Sequence, residues 1–309
     1  MACNKDILRI IEQYDSIVIY RHVHSDYDAY GSQLGLKHLL IANYPTKDIY
    51  AVGDEDIVNP EFLEKMDTVN EDTIKNSLAI LVDISNAARV ENESYKLCKE
   101  SIRIDHHPYT ETLCDHEIID TDASSASQLV VELAKDSNWL INEKAAEYLY
   151  AGISTDTLKM TIDKVDKRLF EDLAYLYGTK IDTNMVNRMI YDLTVDLFST
   201  ETKVRNKIIF DEDAAYVTFN TKELEEYGLD YRNAKDMVNI MGNIKGINKY
   251  AMFVQTDDGK YNVSLRSHSI PIVQIAEKYG GGGHPLASGI SSINESDITD
   301  IVKMLKEAR

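Results

Sequence analysis

Five times between residues 16 and 122 the chain makes a short, nearly unbroken apolar run: SIVIY (16–20), DIYAVG (48–53), SLAILVDIS (77–85), SIRIDHH (101–107) and HEIIDTD (116–122). A strand with one wet face alternates polar with apolar residues. Unbroken runs belong to strands buried on both faces, as in parallel sheets with helices above and below. Helical patterns fall between and after the runs. AYGSQLGLKHLLIA (29–42) reads as an amphipathic helix, a helical patch follows Pro60, and SSASQLVVELAKD offers serines as an N-cap. The alternation predicts an α/β fold with a doubly wound, mainly parallel sheet. Such sheets bind ligands beyond the carboxyl ends of their strands.

From about residue 160 the pattern turns helical, through DKRLFEDLAYLYG and TNMVNRMIYDL, and around 195–205 it becomes polar. Beyond that point KIIFDEDAAYVTFN (207–220) reads as a hairpin. INKYAMFVQTDDGKYNVSLRS (247–267) reads as a second, turning at Asp258–Gly259, and ESDITDIVKMLKEA closes the chain as a helix. The expected organisation is a first domain over 1–195, a linker over 196–205, and a smaller α+β domain over 206–309.

Bulk composition narrows the partners. Hydrophobic residues make up 44% and charged residues 28% of 309, as in an ordinary globular protein. No run of about 18 apolar residues offers a membrane span, and MACNKDILRIIEQYD lacks the features of a signal peptide. The expected location is the cytoplasm, where Cys3, Cys98 and Cys114 act as small apolar residues. The net charge of −19 disfavours long nucleic acid, whose phosphates are held by many cations. A phosphorylated substrate should therefore be short, or bound where metal ions reverse the local sign.

Acids and histidines crowd the strand ends. His22, Asp26 and Asp28 follow the first run, Asp83 ends the third, and Asp105, His106 and His107 end the fourth. Asp156 follows the helical stretch AAEYLYAGIS. Taken singly, each Asp is a helix cap or turn residue. Together they are costly to bury without metal or partners. Carboxylates mixed with imidazoles suit Mn²⁺, Zn²⁺ or Fe²⁺. His22, Asp26, Asp28, Asp83, His106 and Asp156 are enough for two ions sharing one carboxylate, an arrangement that drives phosphoryl transfer. Adjacent residues of an extended segment point to opposite faces, so His106 and His107 should do different jobs.

These residues resemble the DHH phosphoesterase superfamily. HVHSDYD (22–28) is similar to its first motif, LVDIS (81–85) to the second, IDHH (104–107) to the third and GISTDT (152–157) to the fourth. GGGGHPLASG (280–289) and VSLRS (263–267) resemble motifs of the DHHA1 domain. The resemblance implies one metal on His22, Asp26 and Asp83. It implies a second on Asp28, Asp83, His106 and Asp156, with Asp83 bridging and Mn²⁺ the usual ion. It also implies that His107 polarises the phosphate or assists the leaving group, and it places Asp83, Asp105 and His107 among the catalytic residues. Arg266, Gly282, Gly283 and His284 would grip substrate, the glycine amides forming an anion-binding nest. Arg89 would touch substrate or cap a helix end.

The short two-domain layout is similar to the NrnA-type subfamily. That likeness implies hydrolysis of short RNA and linear dinucleotides to mononucleotides, and removal of the 3′-phosphate from 3′-phosphoadenosine 5′-phosphate (PAP). Cyclic dinucleotides as substrates, a non-catalytic nucleotide sensor, and a homodimer stay open. The first motif carries His24 and Ser25 where the subfamily has Arg and Pro. The fourth continues Leu158, Lys159, Met160 in place of Gly-x-Phe.

Overall fold

The computed structural model describes residues 4–54 and 59–309, with the backbone alone for Arg232 and Asp236. Cys3 lies outside the described residues. The chain divides into two compact units, residues 1–192 and 193–309.

The first unit runs α1 (Asn4–Gln13), β1 (Ser16–Tyr20), α2 (Tyr27–Asn43), β2 (Asp48–Ala51), α3 (Glu71–Asn76), β3 (Leu78–Val82), β4 (Glu100–Asp105) and β5 (His116–Ile119). It closes with α4 (Ala126–Asp136), α5 (Glu143–Asp156), α6 (Lys167–Tyr177) and α7 (Thr183–Tyr191). The five strands are parallel, in the order β2-β1-β3-β4-β5. β3 is buried throughout, as its unbroken apolar run requires. Ile17, Ile19, Ile80, Val82, Ile102 and Ile104 face the larger core with α2, α4 and α5. Val18, Tyr20, Ala79 and Leu81 face a smaller core with Val90, Tyr95 and the buried Cys114. The chain reverses direction across the sheet between β1 and β3, and the ends of those two strands flank a ligand crevice in folds of this order.

Two expectations fail in this unit. Residues 60–63 form a turn that seats Phe62 and Leu63 in the core, and the helix begins only where Asn70 caps α3. The helix expected to be amphipathic, α2, is buried on nearly every side, Asp28, Ser32, Gln33 and Lys37 included. It lies between the sheet and α5, so its polar groups need partners inside the protein.

The second unit runs α8 (Val195–Lys207), β6 (Ile209–Asp211), β7 (Ala214–Phe219), α9 (Thr221–Tyr227), α10 (Tyr231–Asp236), β8 (Lys249–Gln255) and β9 (Tyr261–Ser267). It ends with α11 (Val273–Lys278), β10 (Gly282–His284), β11 (Ala287–Ile293) and α12 (Asp297–Glu307). Its sheet order is β10-β11-β9-β8-β7-β6, antiparallel except for β7–β8. Apolar clusters cover both faces. The polar stretch read as a linker is helical. Thr194 caps α8, Asp196 and Arg205 suit its two ends, and Val204 is buried in the unit's core.

Candidate metal centre

Arg21 follows β1 and is fully buried. It donates to Ser25 Oγ (2.7 Å) and Gln33 Oε1 (3.0 Å) and pairs with Glu91 at 3.2 Å. Ser25 Oγ donates to His22 O (2.6 Å), so the Arg21 network holds the turn that presents His22. Sequence reasoning missed Arg21; its only signal was a cation at the end of an apolar strand. His22 is 3% exposed, and its Nδ1 lies 2.8 Å from Val23 O. With Nδ1–H donating there, Nε2 is the ring nitrogen that faces the acids, 3.2 Å from Asp83 and 3.7 Å from Asp26. Arg89 Nη2 approaches the same Nδ1 at 3.1 Å, placing Arg89 beside the cluster on a short 3₁₀ turn.

Each acid is positioned by its element. Asp26 caps α2, its Oδ1 accepting from the amides of Asp28 and Ala29, so the capping role and the clustering coexist. Asp28 is 1% exposed and accepts from the amides of Ala126 (2.7 Å) and Ser127 (2.9 Å) at the start of α4. Asp83 leaves β3 in a left-handed conformation (φ 56°), a cost that non-glycine residues bear mostly at functional sites. Asp156 is the last residue of α5. α2 and α5 pack closely enough that a Cβ at Gly152 would sit 2.1 Å from Ser127 Oγ and 2.8 Å from Asp28 Oδ1. Gly152 is thus required for Asp28 to occupy its place.

Two groups of side chains share no residue: His22, Asp26 and Asp83 have ligand atoms within 4.8 Å of one another, as do Asp28, His106 and Asp156, and a third group at the same spacing, Asp83, His106 and His107, links them. His106 Nε2 lies 3.3 Å from Asp156, 3.5 Å from Asp83 and 3.9 Å from Asp28. Asp83 touches both groups. Its Oδ1 and His106 Nδ1 are buried without a hydrogen-bond partner among the described residues. His107 Nδ1 donates to Asp105 at 2.8 Å and lies 3.5 Å from Asp83. Asp105 therefore stands behind His107 and orients it, whereas it was expected among the catalytic residues. His24 is exposed on a left-handed turn (φ 55°), apart from these groups.

Crowded acids in a buried site retain protons. Burial, then the Asp83 charge, pushes Asp28 up to about 7. Burial and the Asp28 charge push Asp156 up to about 9. Burial opposes charge on the imidazoles, but the neighbouring carboxylates outweigh it and raise His22 to about 10 and His106 to about 9. An orphan carboxylate oxygen, two donor groups meeting at Asp83, and a mixed imidazole–carboxylate set all fit divalent cations in place of these protons.

Residues 16–153 match the DHH family N-terminal domain, and residues 213–308 match the DHHA1 domain. The chain is 34% identical to the bifunctional oligoribonuclease and PAP phosphatase NrnA of Bacillus subtilis, covering 98% of each protein. The chain belongs to the DHH phosphoesterase family. A probable enzyme of the same name from Streptococcus mutans is 33% identical over 99% of both chains. The fold is shared with an exopolyphosphatase-related protein from Bacteroides fragilis, with a TM-score of 0.84 over 98% of this chain and 95% of that one at 23% identity. This DHH protein is accordingly a metal-dependent hydrolase.

The DHHA1 residues look different. The glycine run is no loop of free amides: Gly282, Gly283 and His284 pair with Gly289, Ser288 and Ala287. Gly283 (φ 138°) approaches so closely that a Cβ would meet Ala287 O at 2.6 Å. Arg266 pairs with Ala287 on the other side, so it shares a sheet row with His284. Its Nη1 donates to Leu265 O at 2.9 Å, and His284 is exposed. No helix of the described residues is long and apolar enough to cross a membrane.

Proposed function

We propose that this chain hydrolyses short RNA oligonucleotides and linear dinucleotides to mononucleotides in the cytoplasm, and removes the 3′-phosphate of PAP. The meeting of the two donor groups at the buried, underbonded Asp83 carries this reading. His22, Asp26 and Asp83 would hold one divalent ion, and Asp28, Asp83, His106 and Asp156 a second, both Mn²⁺. Bound there, the ions supply hydroxide near neutral pH and neutralise phosphate charge. The protein's own groups do the rest. Asp28 is fixed by the first amides of α4. His107, whose Nδ1 is held by Asp105, turns Nε2 toward the phosphate, to polarise it or assist the leaving group. The DHHA1 unit grips the nucleotide through Arg266 and His284, with Gly282 and Gly283 letting the substrate backbone approach. The names of the Bacillus and Streptococcus relatives support the substrate class, and so does a net charge of −19, which disfavours long polyanions.

The test is incubation with Mn²⁺ and a panel of pentaribonucleotide, pApA, PAP, cyclic di-AMP and pyrophosphate, beside Asp83→Ala and His106→Ala. Release of mononucleotides from RNA or pApA, lost in both variants, is expected. Turnover of cyclic di-AMP or pyrophosphate alone would reassign the substrate. Tight nucleotide binding without turnover would make the protein a sensor.

A further inference from the structure

The fourth motif's departure from its family pattern opens onto a second feature. Leu158, Lys159 and Met160 all take left-handed backbone (φ 47°, 60° and 63°) directly after α5. Leu158 N donates to Thr155 O and Lys159 N to Ser154 O, the helix ending in which glycine normally supplies the left-handed residue. Three L residues in succession adopt a costly conformation. One consequence is the placement of Lys159, three residues from Asp156, with its Nζ 3.8 Å from the centre of the Tyr191 ring.

Lys159 and Tyr191 belong to a cleft of about 610 Å³ between the end of α5 and α7, which Asn184, Asn187, Arg188 and Ser154 also line. Its volume suits a small ligand. Tyr191 is anchored by Ser154 Oγ at 2.9 Å, and the Tyr150 hydroxyl meets the Asn187 amide at 3.1 Å, so the walls are fixed. The cleft's two cations sit on no carboxylate among the described residues. The buried cations Arg21, Lys37 and Arg103 do, whereas Lys47 and Lys164 of this unit bond to carbonyls. Lys159 and Arg188 have no carboxylate within 4.0 Å among the described residues, although Asp192 also lines the cleft. In a chain with 52 acids against 33 Lys and Arg, two neighbouring unpaired cations are a local inversion of sign.

We propose that this cleft is a subsite for single-stranded RNA, in which Lys159 and Arg188 hold the phosphate of the nucleotide next to the one being cleaved. Arg188 offers a planar fork for two phosphate oxygens, Lys159 a point charge, and the amides and phenols meet a base or ribose. This subsite rests on the RNA reading above and extends it: residues just past Asp156 would select substrates with more than one phosphate.

The test compares kcat/KM for a pentaribonucleotide with that for bis(p-nitrophenyl) phosphate, a diester with one phosphate and no neighbouring nucleotide. The proteins are the wild type, Lys159→Ala/Arg188→Ala, and the charge control Lys96→Ala/Lys167→Ala. The ratio is expected to fall at least about tenfold in the cleft variant at low salt, less at high salt, and to hold in the control. An unchanged ratio with RNA still cleaved overturns the subsite and leaves the proposed function standing. If the wild type cleaves no RNA, the proposed function fails. Fluorescence anisotropy of a labelled phosphorothioate pentaribonucleotide then decides for the cleft. A dissociation constant raised about tenfold in the cleft variant supports it, and equal binding overturns it.

Discussion

The two regions assigned to chemistry and to substrate differ in how firmly each is built. In the first unit, His22, Asp28, Asp83 and Asp105 are each no more than 3% exposed, and hydrogen bonds hold their backbones or side chains. In the second, His284 is exposed and, among the described residues, the Arg266 side chain bonds only to the carbonyl of Leu265. A site that must fix several charges within a few ångströms needs burial and a supporting shell. A site that captures a flexible anion works with exposed donors on a rigid strand. The contrast orders what mutation should do.

The largest effect belongs to the shared carboxylate. Asp83→Ala should lower RNA hydrolysis by at least about 10³-fold, since several kcal/mol of charge stabilisation leaves with it. A loss under tenfold would mean that Asp83 does not bridge the two donor groups in the working enzyme. Arg266→Ala should act on the other region, raising KM for RNA by about 10- to 100-fold while kcat changes little, as for the loss of one charge-assisted hydrogen bond. An effect mainly on kcat would mean that Arg266 serves the chemistry instead.

Glycine replacements probe the same divide through stability. Gly152→Ala drives a methyl group against Ser127 and Asp28 and should cost about 1–3 kcal/mol, with activity falling because Asp28 moves. Gly283→Ala should cost a similar amount through its positive φ while leaving metal affinity unchanged. Equal damage to metal affinity by both variants would erase the distinction between the regions.

The protons of the metal-free cluster predict an unusual pH dependence. Asp28 and Asp156 have folded pKa values raised above their unfolded ones, so the folded state binds more protons, and stability declines once pH exceeds the unfolded carboxylate value. His22 and His106 are also raised, and their contribution is present below the unfolded histidine value and lost toward about 9 to 10. Both shifts have one sign, so Tm in EDTA should fall as pH rises from about 5 to 9, and Mn²⁺ should flatten the slope. A Tm that climbs across this window in EDTA would contradict the assigned charges. The smallest effect is local: Leu158→Gly should relieve one left-handed residue and raise Tm by about 1–4 °C.

Much of the first unit was legible because its chemistry is expensive. An apolar run that delivers Asp or His into a buried site is costly unless a ligand or partner meets those groups, and the parallel order follows from the unbroken strands. The buried character of α2 was hidden because Gln33 and Lys37 find internal partners, in the carbonyls of Ile19 and Val52 and in Asp67, which no local pattern reveals. Arg21 escaped for the same reason: its carboxylate, Glu91, lies 70 residues away. In the second unit the hairpins were readable from turn residues, but the glycine run was not. Gly283 answers to the carbonyl of Ala287 across a strand pair, a constraint that appears only once the register exists. The stretch 196–205 looked like a linker by composition, yet a cap and one buried valine make it a helix.

Whether two ions meet at Asp83 is decided by calorimetric titration of Mn²⁺ into metal-free protein, with pentaribonucleotide hydrolysis followed at each addition. The wild type should take up two ions per chain, with activity rising on the second, and Asp83→Ala should lose both sites. A single ion per chain, or hydrolysis that survives in Asp83→Ala, would contradict a shared carboxylate at the heart of the site.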